Sequence, residues 1–278
     1  MLDVTERRKR FKQALTSGPI FVAHGCVDGL TARLVERAGG AAVHASGSAL
    51  HRSYGYPDMG LLTLVEMVDR TTAMADAASI PVIADGETGF GGDLNTARTV
   101  REFERTGAVA LHIEDSMMPK RPAHLGFTSS SITRQEYLDK IRAALDARTD
   151  ESFMIVARTG VDLELQEKIE RLQECIELGA DAFFNSERDK AGTTALCKAL
   201  KKPGMGVLTA GMTVEEYAAC GMKCGIIPGG LAIAALVAQF AFVKDVLRTG
   251  NAANYFRGLE HHDELREFYM KQGMENVK

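Results

Sequence analysis

Residues 81–115 read PVIADGETGFGGDLNTARTVREFERTGAVALHIED and hold one complete structural unit with the start of the next. An apolar run at 81–84 ends in Asp85-Gly86-Glu87, and a glycine-bearing turn follows, Thr88-Gly89-Phe90-Gly91-Gly92. Residues 94–106 then place apolar side chains at helical spacing, and Gly107 supplies a stop. A second apolar run at 110–113 ends in Glu114-Asp115. A strand, a crossover helix and another strand imply parallel pairing, because parallel strands cannot be joined by a tight hairpin.

The same alternation extends in both directions along the chain. Strand-like runs stand at 20–23, 42–45, 81–84, 110–113, 154–157, 182–184, 206–208 and 225–227. Helical stretches follow at 30–38, 64–78, 94–106, 134–147, 163–178, 190–200, 214–220 and 231–247. Thr213 is placed to cap the helix that opens with Val214, Glu215 and Glu216. Eight such units predict a closed (β/α)8 TIM-type barrel, with an open doubly wound sheet as the rival. Extra C-terminal helices are expected over about 250–278. The whole of 1–278 reads as one domain, a size that α/β barrels commonly reach.

The bulk numbers exclude several function classes. Apolar residues make up 45% of the 278, enough for a large core, and the net charge is only −4. No basic stripe interleaved with aromatics argues for a nucleic-acid partner. The five cysteines, Cys26, Cys175, Cys197, Cys220 and Cys224, form no zinc pattern and suit reduced thiols in a cytoplasmic protein. Arg7 to Arg10 precede no hydrophobic signal core, so a leading amphipathic helix is expected there. Residues 224–243 lack charge over a length that suggests a membrane span. Pro228-Gly229-Gly230 breaks that stretch, which instead predicts a strand, a turn and a buried helix over 231–243, with no membrane partner.

A barrel of this kind carries its active site at the C-terminal strand ends. Asp85, Glu87, Glu114 and Asp115 stand there, Arg158 ends the fifth run, and Asp58 and Ser46-Gly47-Ser48 lie in the loop after the second. Strand-end acids also serve as caps and surface charge, but several on one rim suit a hard cation, Mg2+ or Mn2+. Arg158 could pair with a substrate carboxylate, and the Gly47 and Ser48 N–H groups could meet developing negative charge. The segment Pro119-Lys120-Arg121-Pro122-Ala123-His124-Leu125-Gly126 suits a lid, with His124 a candidate for proton transfer. His24 and His44 also fall on the reactive rim, whereas His261 and His262 sit in the tail. Gly89 to Gly92 and Gly229-Gly230 are weak phosphate-loop signals that turn geometry explains equally well.

These residues, in this order, resemble the isocitrate lyase and phosphoenolpyruvate mutase superfamily. Ser46-Gly47, Gly55-Tyr56-Pro57-Asp58, Asp85-Gly86-Glu87-Thr88-Gly89-Phe90-Gly91, Ile113-Glu114-Asp115 with Pro119-Lys120-Arg121, and Ala157-Arg158-Thr159 carry the likeness. The resemblance implies a barrel whose last helix swaps between subunits of a homotetramer. It implies Mg2+ or Mn2+ held by Asp85 directly and by Asp58, Glu87 and Glu114 through waters. Ser46, Gly47, Ser48 and Arg158 would bind the substrate, and Arg158, Lys120, Glu114 and His124 would serve catalysis. The implied activity is carbon–carbon cleavage or decarboxylation of a small 2-hydroxy or 2-oxo acid through an enolate or aci-carboxylate. A phosphonate P–C enzyme and a metabolite-binding barrel without catalysis are the alternatives. The chain departs from the family pattern at four places. Pro122 and Ala123 stand where lyases carry Cys and Gly, Glu87 replaces an Asp, Gly160 replaces the Asp of Arg-Thr-Asp, and Ser186 stands where lyases have Glu.

Overall fold

The computed structural model describes residues 3–121, 126–208, 211–260 and 262–271. Among these, eight strands close a parallel barrel in sequence order: β1 (Phe21–Cys26), β2 (Ala42–Ala45), β3 (Val82–Asp85), β4 (Ala110–Glu114), β5 (Met154–Arg158), β6 (Ala182–Asn185), β7 (Gly204–Val207) and β8 (Met222–Ile227). The pairing of β8 with β1, Phe21 opposite Cys224 through His24 opposite Ile227, removes both sheet edges and rules out the open sheet. Every residue of β2, β3, β4 and β6 is buried. That is the pattern of a parallel strand covered by side chains within and helices without.

The helices are α1 (Val4–Ser17), α2 (Gly29–Arg37), α3 (Gly47–Ser53), α4 (Leu64–Ala77), α5 (Asp93–Arg105), α6 (Arg134–Ala147), α7 (Leu165–Leu178), α8 (Lys190–Ala199), α9 (Val214–Ala219), α10 (Gly230–Thr249), α11 (Ala253–Glu260) and α12 (Asp263–Lys271). Local chemistry sets their ends. Thr63 with Glu66, Thr133 with Glu136 and Thr213 with Glu216 form reciprocal capping boxes that satisfy otherwise orphaned N–H groups. Gly179 ends α7 at φ 124°, a conformation costly for any residue with a Cβ. Strands β7 and β8 begin earlier than the apolar runs suggest. Parallel pairing of Gly204 with Met222 and with Phe183 draws small and flanking residues into the ladder.

The basic N-terminal run has a structural use. Phe11 and Leu15 of α1 pack with Ala110, Met154 and Ala182, which open their strands, and so close the barrel floor. Burying two such side chains contributes roughly 1.5–3 kcal/mol each. Arg8 lies on the same buried face. Its guanidinium donates to Ala108 O at 2.9 Å and to Glu104 O, pairs with Asp150 at 2.8 Å and stacks over Phe153.

Contacts divide the chain into two compact units, Met1–Gly230 and Leu231–Lys278. In the second, Phe242 of α10 and Tyr255 of α11 stack at 4.4 Å. The sequence predicts a buried helix over 231–243. The helix is present, but none of its residues is buried within the chain. Ile233, Leu236, Val237, Phe240 and Leu247 are all more than 60% exposed. By length and composition α10 could also cross a membrane.

Removing Arg8 would take a donor from the Ala108 and Glu104 carbonyls and leave the Asp150 carboxylate with only Thr5 and Ser152. Arg8→Ala is expected to lower stability by on the order of 3 kcal/mol, measured as the shift of the urea unfolding curve.

Candidate active site

Two strand ends, the turn after β3 and one loop bring the acids together. Asp85 ends β3, Glu87 follows two residues later, Glu114 ends β4 and Asp58 comes from the loop after α3. Asp85, Glu87 and Glu114 are buried, and Asp58 is half-buried. The turn after β3 is shaped to hold Glu87 beside the others. Glu87 adopts φ 50° and Phe90 φ 57°, in the left-handed region that side chains disfavour by roughly 1–2 kcal/mol. The strained Glu87 backbone is tied in place: its N–H donates to Asp85 Oδ1 at 3.0 Å, and its carbonyl accepts from Glu114 N–H at 2.9 Å. Gly89, at φ 85°, could not carry a Cβ, which would stand 2.3 Å from Thr96 Oγ1. Steric need therefore accounts for this part of the glycine run.

Two cations enter the cluster. Lys120 Nζ lies 2.7 Å from Glu87 Oε2, 2.9 Å from Glu114 Oε1 and 3.6 Å from Asp58 Oδ1. Arg158 reaches Glu114 Oε2 at 2.9 Å and Asp85 Oδ2 at 3.8 Å, and its guanidinium stacks on Phe184. Burial pushes Asp85, Glu87 and Glu114 up, and the cations oppose it unequally. Against burial, His112, Arg158 and Lys120 hold Asp85 well below the usual carboxylate range. Arg158 and Lys120 hold Glu114 down to about 2. Burial dominates at Glu87, and with Asp85, Glu114 and Asp58 nearby its pKa rises to about 8 even beside Lys120. The same acids hold Lys120 well above its ordinary value, although burial works against it.

The donor set fits a hard divalent cation. Glu87 Oε1 and Asp58 Oδ1 are buried oxygens with no hydrogen-bond partner among the described residues. A Cβ on Gly47 would stand 2.2 Å from Glu87 Oε1 and 2.7 Å from Asp85 Oδ2, so a glycine there keeps the carboxylates clear. Lys120 supplies the charge that such a set calls for, its ammonium standing where the acids converge. Oxygen-only donors of this kind suit Mg2+ or Mn2+ over softer metals.

The structure thus brings together Asp58, Asp85, Glu87, Glu114, Lys120 and Arg158. Ser46 and Gly47 take a different form from a turn: Ser46 caps α3 by accepting from Ala49 N–H, and Gly47 opens that helix. The Gly47 N–H is committed to Asp85 Oδ2 at 3.1 Å, and Ser48 accepts from Arg52. His124, with Pro122 and Ala123, lies outside the described residues. Asp115 turns away from the cluster, accepting from Gly160 N–H at 2.6 Å and pairing with Arg171 at 3.0 Å. A cavity of about 480 Å³ adjoins the cluster, lined among others by Asp58, Glu114, Lys120, Arg158, Gly160 and Ser186.

Three buried residues behind the site escape the sequence reading. His51 of α3 donates from Nδ1 to Gly47 O at 2.8 Å and accepts Leu62 N–H at Nε2, a fixed neutral form that carries its own polarity. His112 on β4 meets His44 on β2, Nε2 to Nε2 at 2.9 Å, and burial lowers the two to about 4 and about 3. The Tyr137 hydroxyl accepts Arg158 N–H at 2.7 Å and lies 2.8 and 2.9 Å from the carbonyls of Arg158 and Ile113. A helical spacing over 47–53 would have marked His51, but that stretch reads as a turn. His112 and Tyr137 sit within apolar patterns that signal only core.

Residues 11–247 match the family model described as phosphoenolpyruvate phosphomutase. The chain is 40% identical over 178 residues to 2,3-dimethylmalate lyase of Eubacterium barkeri, an alignment spanning 63% of this chain and 61% of that relative. It is 32% identical over 268 residues to 2-methylisocitrate lyase of Shewanella oneidensis, covering 93% and 91% of the two chains. Among solved structures, phosphonopyruvate hydrolase in complex with oxalate and Mg2+ superposes with a TM-score of 0.86 at 30% identity, covering 98% and 97% of the two chains.

Tyr137→Phe would strand the Arg158 N–H and free both carbonyls from their shared donor. It is expected to cost about 1–3 kcal/mol, read as a lower urea midpoint with the fold retained by circular dichroism.

Proposed function

The chain belongs to the phosphoenolpyruvate phosphomutase family, and on that footing we propose that it is a Mg2+-dependent carbon–carbon lyase for a small 2-hydroxy or 2-oxo di- or tricarboxylic acid. One observation carries this reading: the carboxylates of Asp58, Glu87 and Glu114 converge on the Lys120 ammonium, and Arg158 reaches Asp85 and Glu114 beside them. Asp85 would hold the cation directly, and Asp58, Glu87 and Glu114 would hold it through waters. Mn2+ has the same donor preference. When bound, the cation supplies positive charge to a substrate oxygen that gains electrons as the carbon–carbon bond breaks.

The chain's own residues supply the rest. Arg158 pairs with the substrate carboxylate. Glu114 orients both Arg158 and Lys120, taking one on each oxygen. For a 2-hydroxy acid, the hydroxyl proton would pass to a carboxylate of the cluster as its carbon becomes a carbonyl, and the electrons of the broken carbon–carbon bond would come to rest on the departing fragment's carboxylate, where Lys120 brings positive charge. The Ser46-Gly47-Ser48 segment serves the substrate through Asp85, whose carboxylate Gly47 fixes. His124 is assigned by sequence alone to return a proton to the departing carbon.

A second reading, P–C bond chemistry on a phosphonate, is favoured by the likeness to phosphonopyruvate hydrolase over nearly the whole chain. Pro122 and Ala123 standing where lyases carry Cys and Gly point the same way. The exposed apolar side of α10 fits a helix exchanged between subunits of a homotetramer. The five free cysteines fit a cytoplasmic enzyme.

A panel of 2,3-dimethylmalate, 2-methylisocitrate and oxaloacetate with Mg2+ is expected to yield pyruvate from at least one acid. Absence of turnover on all three with metal bound would sink the lyase reading, and phosphonopyruvate consumption followed by ³¹P NMR would establish the second. Asp85→Ala is expected to abolish Mg2+ binding and turnover together. Lys120→Ala is expected to raise Mg2+ affinity by about tenfold in calorimetry, because the cation no longer displaces an ammonium from the same acids. An unchanged or lower affinity would show that the two do not compete.

A further inference from the structure

We infer that Asp162 is a positioning residue for Lys120, acting through Ser131, an inference that rests on the reading that Lys120 works in the strand-end site. The loop that carries Lys120 leaves the barrel at Asp115 and returns at Ile132. Its legs form a short antiparallel ribbon. Ser116 bridges Ser131, Met117 N–H donates to Ser130 O at 2.8 Å, and the Ser129 hydroxyl donates to Arg121 O at 3.0 Å. Lys120 stands on the outgoing leg, so whatever fixes the return leg fixes the lysine. The base of the ribbon is anchored from within: Ile132 N–H donates to Asp115 O at 2.8 Å, and Arg171 donates to both Asp115 and Ile132 O.

One step outward, the anchor is Asp162. The Ser131 hydroxyl lies 3.1 and 3.2 Å from the two Asp162 oxygens and 3.5 Å from Asp115 Oδ1. Its single proton goes to one acceptor at a time, and Asp162 is the nearer. The two meet directly over Gly160. A Cβ there would stand 2.4 Å from Asp162 Oδ1 and 2.6 Å from Ser131 Oγ. Gly160 is absent from the positive-φ glycines, so it is needed for space and not for backbone conformation. Where the family pattern has an acid at this position, the chain has a vacancy filled by the carboxylate two residues further on. An exposed hydroxyl–carboxylate bond contributes little to global stability. Its effect falls on where the ribbon, and Lys120 with it, comes to rest.

The test uses the full-length chain and amide hydrogen exchange by mass spectrometry, which reports on the ribbon whether or not the enzyme turns over. Asp162→Ala is expected to speed exchange across residues 116–121 several-fold and to lower kcat about tenfold with little change in unfolding midpoint. Asp162→Asn, which keeps an acceptor oxygen, is expected to restore most of both. Gly160→Ala, whose methyl displaces the carboxylate, is expected to match Asp162→Ala, and the double variant is expected to be no worse than either single one, since both break the same contact. Wild-type exchange in Asp162→Ala, or additive effects in the double variant, would overturn the inference. Faster exchange with unchanged kcat would overturn the positioning role while leaving the lyase reading intact. An unaltered enzyme inert on the panel would instead remove the lyase reading, and with it the positioning role.

Discussion

The constraint on which this structure turns is electrostatic: more negative charge is gathered at one end of the barrel than its buried cations can balance comfortably. Asp85, Glu87 and Glu114 are removed from water, and Lys120 and Arg158 reach them at unequal distances. Carboxylates in that position either take up protons or recruit positive charge. The three acids respond unequally, Asp85 and Glu114 held below the usual carboxylate range by the cations and Glu87 pushed above it by burial. Such an imbalance favours a binding site over a purely structural knot, because it is relieved by a ligand and not by the fold.

The scaffold keeps these acids from relaxing apart. Strand pairing fixes β3 beside β4 and β4 beside β5, so Glu114 stands opposite Arg158 by register alone. Tyr137 clamps the β4 and β5 backbones from the helix side, and His51 ties the start of α3 to the Leu62 backbone. The left-handed backbone at Glu87 is tolerated because neighbouring strand ends hold both of its peptide groups. At the opposite end of the barrel, α1 closes the floor with apolar side chains and buried arginines. Stability is thus concentrated at one end and chemistry at the other.

Much of this was legible in the chain. Periodicity marks the strand–helix units because each strand is buried on both faces while each helix keeps a polar side. An acid that directly follows an apolar run must then fall at a strand end, which is why Asp85, Glu87 and Glu114 could be placed together before any coordinates. What could not be read has physical causes too. His112 looks like any residue inside a buried strand, because its polar partner lies two strands away on β2 and not nearby in sequence. Helix α3 is too short to show a face. The apolar content of α10 suggests a buried helix, but its side chains stand exposed. Glycine at 160 reads as a missing acid, and only the space above it reveals what that absence admits.

The contact between His44 and His112 has a consequence for the direction of polarity inside the barrel. Each ring is neutral and so carries one N–H, yet a single proton must lie between the two Nε2 atoms. If His44 provides it, His112 has its hydrogen on Nδ1, which faces the ionised Asp85 at 3.5 Å. The opposite choice would aim a bare lone pair at a carboxylate. The acid therefore favours this tautomer of both imidazoles, one hydrogen bond joining β2 to β4 and the second N–H turned toward Asp85 without a hydrogen bond to it. The interior of the barrel is in this sense wired in one sense only, its polarity written by a charge at the rim.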